Sequence, residues 1–195
     1  MTRAQGATPQ TTLGRAVSAA LAACLLAALC GVGAARAQAG AAGEEVMDRV
    51  QTPVGELSLV RRREADGAAA ILIKLGDRVV AEKRASGEGD VYDGAAFAGL
   101  YPRSAPRYAL VGLSTGALVC GAKYTVVDLS REGAARASRD FGNCSDAPRV
   151  TYRRGTLTVA FPAGPRRRDP GAHYVGPRQV WSYADGRLRM VAGRR

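Results

Sequence analysis

The fold is decided by two stretches near the carboxyl end of the chain, RVTYRRGTLTVAF (residues 149–161) and QVWSYADGRLRMV (residues 179–191). Each has a pair of residues that favours a tight turn near its centre, Arg154-Gly155 in the first stretch and Asp185-Gly186 in the second. A glycine between two short runs of alternating apolar and polar residues is typical of a β-hairpin. Both stretches are therefore predicted to be antiparallel hairpins.

The first hairpin divides into an apolar and a polar face once its turn is placed at Arg154-Gly155. Tyr152 then falls opposite Leu157, and Val150 falls opposite Val159, so that these four side chains share one face. The other face of the hairpin carries Thr151, Arg153, Thr156 and Thr158.

The second hairpin and much of the remaining chain repeat this pattern. Tyr183 is predicted to face Leu188, and Trp181 is predicted to face Met190. We therefore expect an all-β fold, mainly antiparallel hairpins in a sandwich or a small barrel, with little helix. Further strands are predicted at 56–62, at 68–75 and 78–84 around a Gly76-Asp77 turn, at 108–113 and at 123–129.

Other stretches lack a strand pattern. The small and polar residues 38–52 are expected to form a loose start, and residues 86–106 an irregular connection. Glycines and prolines throughout 164–177 predict a long surface loop that carries Arg166, Arg167 and Arg168. A helical turn or two is conceivable only at 131–139, where the alternation is poor.

The amino-terminal residues 1–37 resemble a signal peptide. Arginines precede an Ala- and Leu-rich run, and Ala35-Arg36-Ala37 fits the rule for cleavage before Gln38. A retained membrane anchor is one alternative. Lipidation is another, because Leu21-Ala22-Ala23-Cys24 resembles a lipobox, although the apolar run continues beyond that cysteine. The sequence predicts export to the periplasm or outside a bacterial cell, with membrane contact only through an uncleaved signal segment.

Cleavage would leave 158 residues, a length that suits one domain. Residues 38–52 would then precede a single β-rich domain at 53–195. Two of the four cysteines would be removed, and Cys120 and Cys144 would remain. In an oxidising compartment two such cysteines are expected to form a structural disulfide. They lack the C-x-x-C spacing of a redox-active pair, and thiol-based metal binding would need further ligands.

The charge of the chain is strongly basic. Its formal net charge of +11 would fall to +8 after loss of the three arginines of the signal segment. A basic surface permits contact with anionic envelope components, and the solvated surface of an ordinary domain is the alternative. Nucleic acid is not an expected partner, since the aromatic residues pair as core residues and an exported protein seldom meets it.

One short motif suggests catalysis. Gly112-Leu113-Ser114-Thr115-Gly116 satisfies G-x-S-x-G, and the single histidine, His173, follows later in the chain. The segment after Gly116 is short and leads into another strand, so a glycine-rich turn between strands is the commoner interpretation. A serine hydrolase therefore remains an unfavoured alternative, and the sequence indicates no cofactor or metal site.

The segment 110–161, with Cys120, the strand at 124–129 and the motif Phe141-Gly142-Asn143-Cys144-Ser145-Asp146, resembles a group of uncharacterised exported proteins of proteobacteria. Residues 117–119 depart from the usual form of that group, which has a second glycine and small residues before the first cysteine. The resemblance covers about a third of the chain. It implies a disulfide-bearing domain and no particular activity.

Two residues of this motif are candidate ligand-binding residues. Ser145 and Asp146 are turn and cap formers in the first place, and a binding role for them is second. Together with Arg166–Arg168 they complete the set of binding residues that the sequence suggests. The function expected is a non-catalytic binding module of the cell envelope, with a small-ligand carrier that has a barrel cavity as an alternative.

Overall fold

The computed structural model of the chain describes residues 43–64, 68–84, 92–115, 120–130, 134–164 and 175–193. All regular secondary structure in these residues is β-strand, so the expected all-β class is confirmed. The predicted signal segment, with Cys24, lies outside the described residues. The strands are β1 (Glu44–Thr52), β2 (Gly55–Arg63), β3 (Ala69–Leu75), β4 (Arg78–Lys83), β5 (Tyr92–Tyr101), β6 (Tyr108–Thr115), β7 (Ala122–Asp128), β8 (Arg136–Ala137), β9 (Arg149–Arg153), β10 (Thr156–Phe161), β11 (Gln179–Ala184) and β12 (Arg187–Gly193).

The strands form three antiparallel sheets of four strands each, and each sheet takes its strands from one continuous part of the chain. Sheet A contains β1 to β4, sheet B contains β5 to β8, and sheet C contains β9 to β12, each in the order of the sequence. Such consecutive pairing needs only short connections between neighbouring strands.

Sheet B lies between the other two sheets, because its two faces contribute to two separate hydrophobic cores. One face packs against sheet A, and the other packs against sheet C. Strand β6 shows this directly: Ala109 and Val111 belong to the first core, whereas Tyr108 and Leu110 belong to the second. All four are at most 1% exposed, which explains why their sequence is a continuous apolar run. The result is a three-layer stack of sheets, an extended form of the expected sandwich.

The hairpins predicted in the carboxyl-terminal part have the expected register. Leu157 pairs with Tyr152, and Val159 pairs with Val150. In the second hairpin Tyr183 pairs with Leu188 and Trp181 with Met190. The turn residues of both hairpins have positive φ, with values of 47° and 81° at 154 and 155 and of 49° and 74° at 185 and 186. This conformation matches the turn type that two-residue hairpins prefer.

Two segments expected to be irregular are strands. Within 38–52, residues Glu44–Thr52 form β1, which pairs with β2 along its length and has a register shift between Val46 and Asp48. Its polar sequence lacks the alternation by which strands are predicted, because an edge strand with few buried side chains needs little of it. Within 86–106, residues Tyr92–Tyr101 form β5, whose two register shifts break the period of two.

The weak helical signal at 131–139 is also not realised in the described part of that segment. Arg136–Ala137 is the short strand β8, and residues 131–133 lie outside the described ranges. Among the residues that the structure describes, no helix has the length and apolar character needed to cross a membrane.

A small polar cluster joins sheets A and B at one edge of their shared core. Lys83 Nζ donates to Asp140 Oδ1 at 2.7 Å and to the carbonyl oxygen of Ser138 at 2.8 Å. Tyr92 donates its hydroxyl proton to Asp140 Oδ2, also at 2.7 Å. The carboxylate thus receives one hydrogen bond from β4 and one from β5, which connects the two layers. Both carboxylate oxygens of Asp140 accept a hydrogen bond in this link between the sheets, so we interpret the cluster as structural.

Candidate functional site

The predicted disulfide is present and joins Cys120 to Cys144, with their Cα atoms 4.8 Å apart. Cys120 precedes β7 in the central sheet, and Cys144 lies in the segment that leads from β8 to β9. The bond therefore ties sheet B to the start of sheet C. A structural disulfide of this kind suggests an oxidising, exported compartment.

Asn143 holds the segment beside the disulfide to both ends of the connection between β10 and β11. Its side-chain Nδ2 lies 2.6 Å from the carbonyl oxygen of Pro162, 2.9 Å from that of Pro177 and 3.3 Å from that of Gly176. The main chain adds a bond from Gly176 N to the carbonyl oxygen of Asn143 at 2.7 Å, and Gly164 N donates to the carbonyl oxygen of Gly176 at 3.1 Å. These bonds close the base of the connection, whose residues 165–174 lie outside the described ranges.

The residues before Asn143 pack into the core between sheets B and C. Gly142 has φ 117°, and a Cβ atom there would lie 3.3 Å from the ring of Phe161. The Phe141 ring has its centroid 5.9 Å from that of Phe161 and 5.4 Å from that of Trp181. The Phe-Gly-Asn-Cys sequence is thus explained by ring packing, close approach, a polar clamp and the disulfide.

The candidate binding residues of this motif differ in their availability. Ser145 is 5% exposed, and its hydroxyl accepts a hydrogen bond from Ala147 N at 3.3 Å. Its main-chain N donates to Asn143 Oδ1 at 3.2 Å. These contacts agree with a turn-forming role. Asp146 is exposed, and its charge adds to burial in raising the pKa of the Tyr124 hydroxyl to about 12. Arg166, Arg167 and Arg168 lie outside the described residues.

The local structure at Ser114 differs from the strand-to-helix turn that a hydrolase nucleophile occupies. Ser114 is an exposed residue inside β6, where it pairs with Gly94 of β5 and with Ala122 of β7. His173 and residues 116–119 lie outside the described ranges. The structure therefore gives no distance between Ser114 and His173. Within the described residues no group of three or more His, Cys, Asp or Glu side chains is placed to hold a metal ion.

The outer face of sheet C presents the most distinctive surface of the described residues. Side chains that alternate with the core residues of its four strands point away from sheet B. Thr151, Thr158, Ser182 and Arg189 form one row across the sheet, as their pairing shows. In the neighbouring positions Arg153 pairs with Thr156, Arg149 with Ala160, and Arg187 with Ala184.

Arginines occupy both edges of this surface, and small side chains occupy its middle. Arg149 and Arg153 lie on β9, whereas Arg187 and Arg189 lie on β12, and all four are exposed. Three strand spacings separate the backbones of these two edges by about 14 Å. We call the surface formed by the four arginines and the small residues between them the basic face. The small residues are Thr151, Thr156, Thr158, Ala160, Val180, Ser182 and Ala184.

Among the residues that the structure describes, the four arginines of the basic face form no ion pairs, whereas several charges of sheet A do. On sheet A, Arg84 binds both Glu64 and Glu82, and these hydrogen bonds lower the pKa of both carboxyl groups. Within the described residues, none of the four arginines of the basic face has an acidic oxygen within 4.0 Å. The sequence shows the same asymmetry, since residues 44–84 contain eight basic and eight acidic residues and residues 149–193 contain nine basic and two acidic.

A pocket of about 560 Å³ opens at the end of the basic face that is distant from the hairpin turns. It shares Arg149 and Ala160 with that face and adds Arg178, which immediately precedes β11. Its remaining lining is apolar and comes from Ala147, Phe161, Pro162 and Ala163. The pocket is open to solvent, unlike the enclosed cavity that a barrel carrier would need.

Part of this site can be predicted from the sequence. The predicted polar face of the first hairpin, with Thr151, Arg153, Thr156 and Thr158, is the face that the structure exposes. The arginines that the sequence suggests for binding lie in 164–177 instead, where three of them are consecutive. The period of two along the strands is the signal that assigns Arg149, Arg187 and Arg189 to the exposed face.

Comparison of the chain with protein-family models, with curated proteins and with solved structures finds no match. The function has to be inferred from the site itself.

Proposed function

We propose that this protein is an exported, non-catalytic binding module of the cell envelope that holds a linear anionic polymer on its basic face. The observation that carries the proposal is the set of four exposed arginines, Arg149, Arg153, Arg187 and Arg189, which flank a lane of small side chains and form no ion pair with a described residue. Unpaired cations on a rigid surface attract anions, and a guanidinium group binds phosphate and carboxylate with paired hydrogen bonds.

The shape of the face favours an extended ligand. The lane follows β10 and β11, each of six residues, which gives a length of about 20 Å. Its floor has no bulky side chain, and Thr158 and Ser182 lie opposite each other in its middle. A chain lying along the lane could contact arginines on both sides and hydroxyls below. The sheet is formed before binding, which reduces the loss of conformational entropy on association.

The proposed compartment limits the choice of polymer. The disulfide, the signal-like sequence at 1–37 and the resemblance to exported proteins support a periplasmic or secreted location. Anionic glycans and phosphorylated envelope polymers are present there, whereas nucleic acid is not an expected partner. We assign no cofactor to this function, because binding by charge requires none.

The test compares two double variants with equal changes in charge. Arg153→Gln with Arg187→Gln removes one cation from each side of the lane. Arg63→Gln with Arg78→Gln removes two exposed cations from sheet A. Binding to immobilised heparin and to lipopolysaccharide is measured across a salt series. Each cation near an anionic surface contributes about 1 kcal/mol, so the first pair should lose about thirtyfold in affinity.

The two double variants separate a local site from general charge. We expect the sheet C variant to show a weaker salt dependence than the wild type, because fewer counterions are released on binding. The sheet A variant should retain nearly all of its affinity. Equal losses in the two variants, or wild-type binding that does not weaken with salt, would contradict a site on the basic face.

A further inference from the structure

The pocket at the Arg149 end of the basic face combines two charges with an apolar lining. Arg149 and Arg178 are both exposed, and neither forms an ion pair with a described residue. The rest of the lining consists of hydrocarbon from alanine, proline and phenylalanine. A site for a purely anionic group would need no such lining, and a site for a purely apolar group would gain nothing from two arginines.

We infer that this pocket is a subsite for an anionic unit of the bound polymer that carries a short hydrocarbon substituent, such as an acyl or alkyl group. The inference rests on the proposed function and adds the chemical class of the ligand. In this arrangement the phosphate or carboxylate of the unit lies between Arg149 and Arg178, and the hydrocarbon lies against the exposed residues Pro162 and Ala163.

Continuity with the basic face argues for a substituent of the same polymer rather than for a membrane lipid. Arg149 and Ala160 belong to both the lane and the pocket, so a chain that follows β10 reaches the pocket without leaving the surface. The volume of about 560 Å³ lies within the range of small-molecule sites. It can receive a substituted sugar-sized unit.

The main-chain contacts around the pocket support a fixed shape. Pro162 is held by the hydrogen bond from Asn143 to its carbonyl oxygen, and Ala147 is held by the bond from its N–H to Ser145 Oγ. Ala147 also lies only three residues beyond the disulfide at Cys144. These bonds position two walls of the pocket before any ligand binds.

The experiment measures calorimetric affinities for three probes, inorganic phosphate, butyl phosphate and hexyl phosphate, all below the concentration at which they form micelles. Each methylene group that is fully buried should tighten binding by up to about fourfold. We expect hexyl phosphate to bind at least tenfold more tightly than inorganic phosphate. Equal affinities for the three probes would overturn the inference.

Three variants locate the effect. Ala163→Trp fills the pocket from an exposed position and should abolish the gain from the alkyl chain, so that the three probes bind with equal affinity. Arg178→Gln should weaken all three probes about equally. Arg78→Gln is the matched control, since it removes an exposed cation from sheet A and should leave the probes unaffected. A chain-length gain that survives Ala163→Trp would place the hydrocarbon elsewhere and contradict the subsite.

Three further outcomes distinguish failure of this inference from failure of the proposed function. If Ala163→Trp binds heparin as the wild type does, but the wild type itself binds the three phosphate probes with equal affinity, the basic face is supported and the subsite is refuted. If vesicles containing an anionic phospholipid bind and monomeric hexyl phosphate does not, the pocket serves a membrane surface, and the inference is wrong. If the wild type does not bind heparin but still binds hexyl phosphate more tightly than inorganic phosphate, the pocket is supported as an anion site and the polymer on the basic face is refuted.

Discussion

Substitution of Asn143 should separate a hydrogen-bonding clamp from a residue that merely fills space. The side chain is 4% exposed, and its Nδ2 faces the carbonyl oxygens of Pro162, Gly176 and Pro177. Asn143→Ala removes these donors, and Asn143→Asp replaces them by an oxygen of nearly the same size. Because three acceptors surround the position, the introduced carboxylate would face them without a proton to share.

The magnitude follows from the bonds that are lost. An amide nitrogen has two protons, so Asn143→Ala loses two donated bonds and the bond accepted from Ser145 N, each with a net value of about 1 kcal/mol. Water can reach the exposed residues Pro162 and Pro177, and Gly176 keeps its bond from Gly164, which limits the further cost. We expect a loss of about 2–3 kcal/mol in the free energy of unfolding.

The aspartate variant should be less stable than the alanine variant at pH 7 and should partly recover at acid pH. Burial among carbonyl oxygens raises the pKa of the introduced carboxyl group above its unfolded value of about 4. The folded state therefore binds the proton more tightly, and stability falls as pH rises from about 4 through the folded pKa. At pH 7 we expect a loss of about 4 kcal/mol, including the cost of a buried unpaired charge.

Urea denaturation at pH 4 and at pH 7, followed by the fluorescence of Trp181, measures these differences. Trp181 is the single tryptophan, and it is 7% exposed in the core between sheets B and C. Ser182→Ala, at a half-buried position of the outer face, serves as the control and should change stability by less than about 0.5 kcal/mol. Equal stabilities of the aspartate and alanine variants at both pH values would refute a clamp made of donated hydrogen bonds.

Three further predictions concern the disulfide, a glycine and the alkaline limit of stability. Cys120→Ser with Cys144→Ser opens a closed loop with a separation of 24 residues and should cost about 3.5 kcal/mol by the chain-entropy estimate; titration of two free thiols in the wild-type folded protein would contradict the bond. Gly142→Ala, at φ 117° and against a buried aromatic ring, should lower the free energy of unfolding by about 2–3 kcal/mol. Gly186→Ala, at φ 74° with open space around it, should lower it by only about 1 kcal/mol. Equal losses in the two variants would contradict the role of the ring. The pKa of Tyr124 is raised to about 12, by burial first and by a neighbouring carboxylate second. The stabilisation by its protonated hydroxyl is therefore complete below pH ~10 and decreases as the pH rises through about 12. Tyr124→Phe should lose less stability than the wild type between these pH values in urea denaturation, and an alkaline profile equal to that of the wild type would contradict this cause.

The hairpins of sheet C could be predicted from the sequence because their information is local. The turn residues and the alternation of Tyr152 with its neighbours fix the register within about twelve residues, and the register proved right. The disulfide could be predicted because only two cysteines follow the predicted signal segment. These are cases in which either distance along the chain or the number of possible partners is small.

The stacking of the sheets could not be predicted in this way. Nothing in the alternation of β6 says which sheet covers Val111 and which covers Leu110, since both faces are apolar. Strands β1 and β5 could not be predicted because their apolar pattern is weak. Register shifts and exposed side chains remove the apolar period of two from both strands. The role of Asn143 depends on carbonyl groups up to 34 residues away, and it leaves no local pattern.

The basic face shows how a functional surface can arise without a motif. Its arginines are separated by up to 40 positions in the chain, and each one alone is an ordinary residue of a solvated strand. They become one site because β9 and β12 are the two edges of the same sheet, and because the inner face of that sheet is fully used by the core with sheet B. An edge position lets a long guanidinium side chain extend over the small residues of the central strands. Sheet A has the same four-stranded plan, but Arg61 and Arg62 of its strand β2 form ion pairs with glutamates, so the fold alone does not produce a basic surface. The difference lies in which residues occupy the solvent-facing positions, and those positions are free to change without cost to the core.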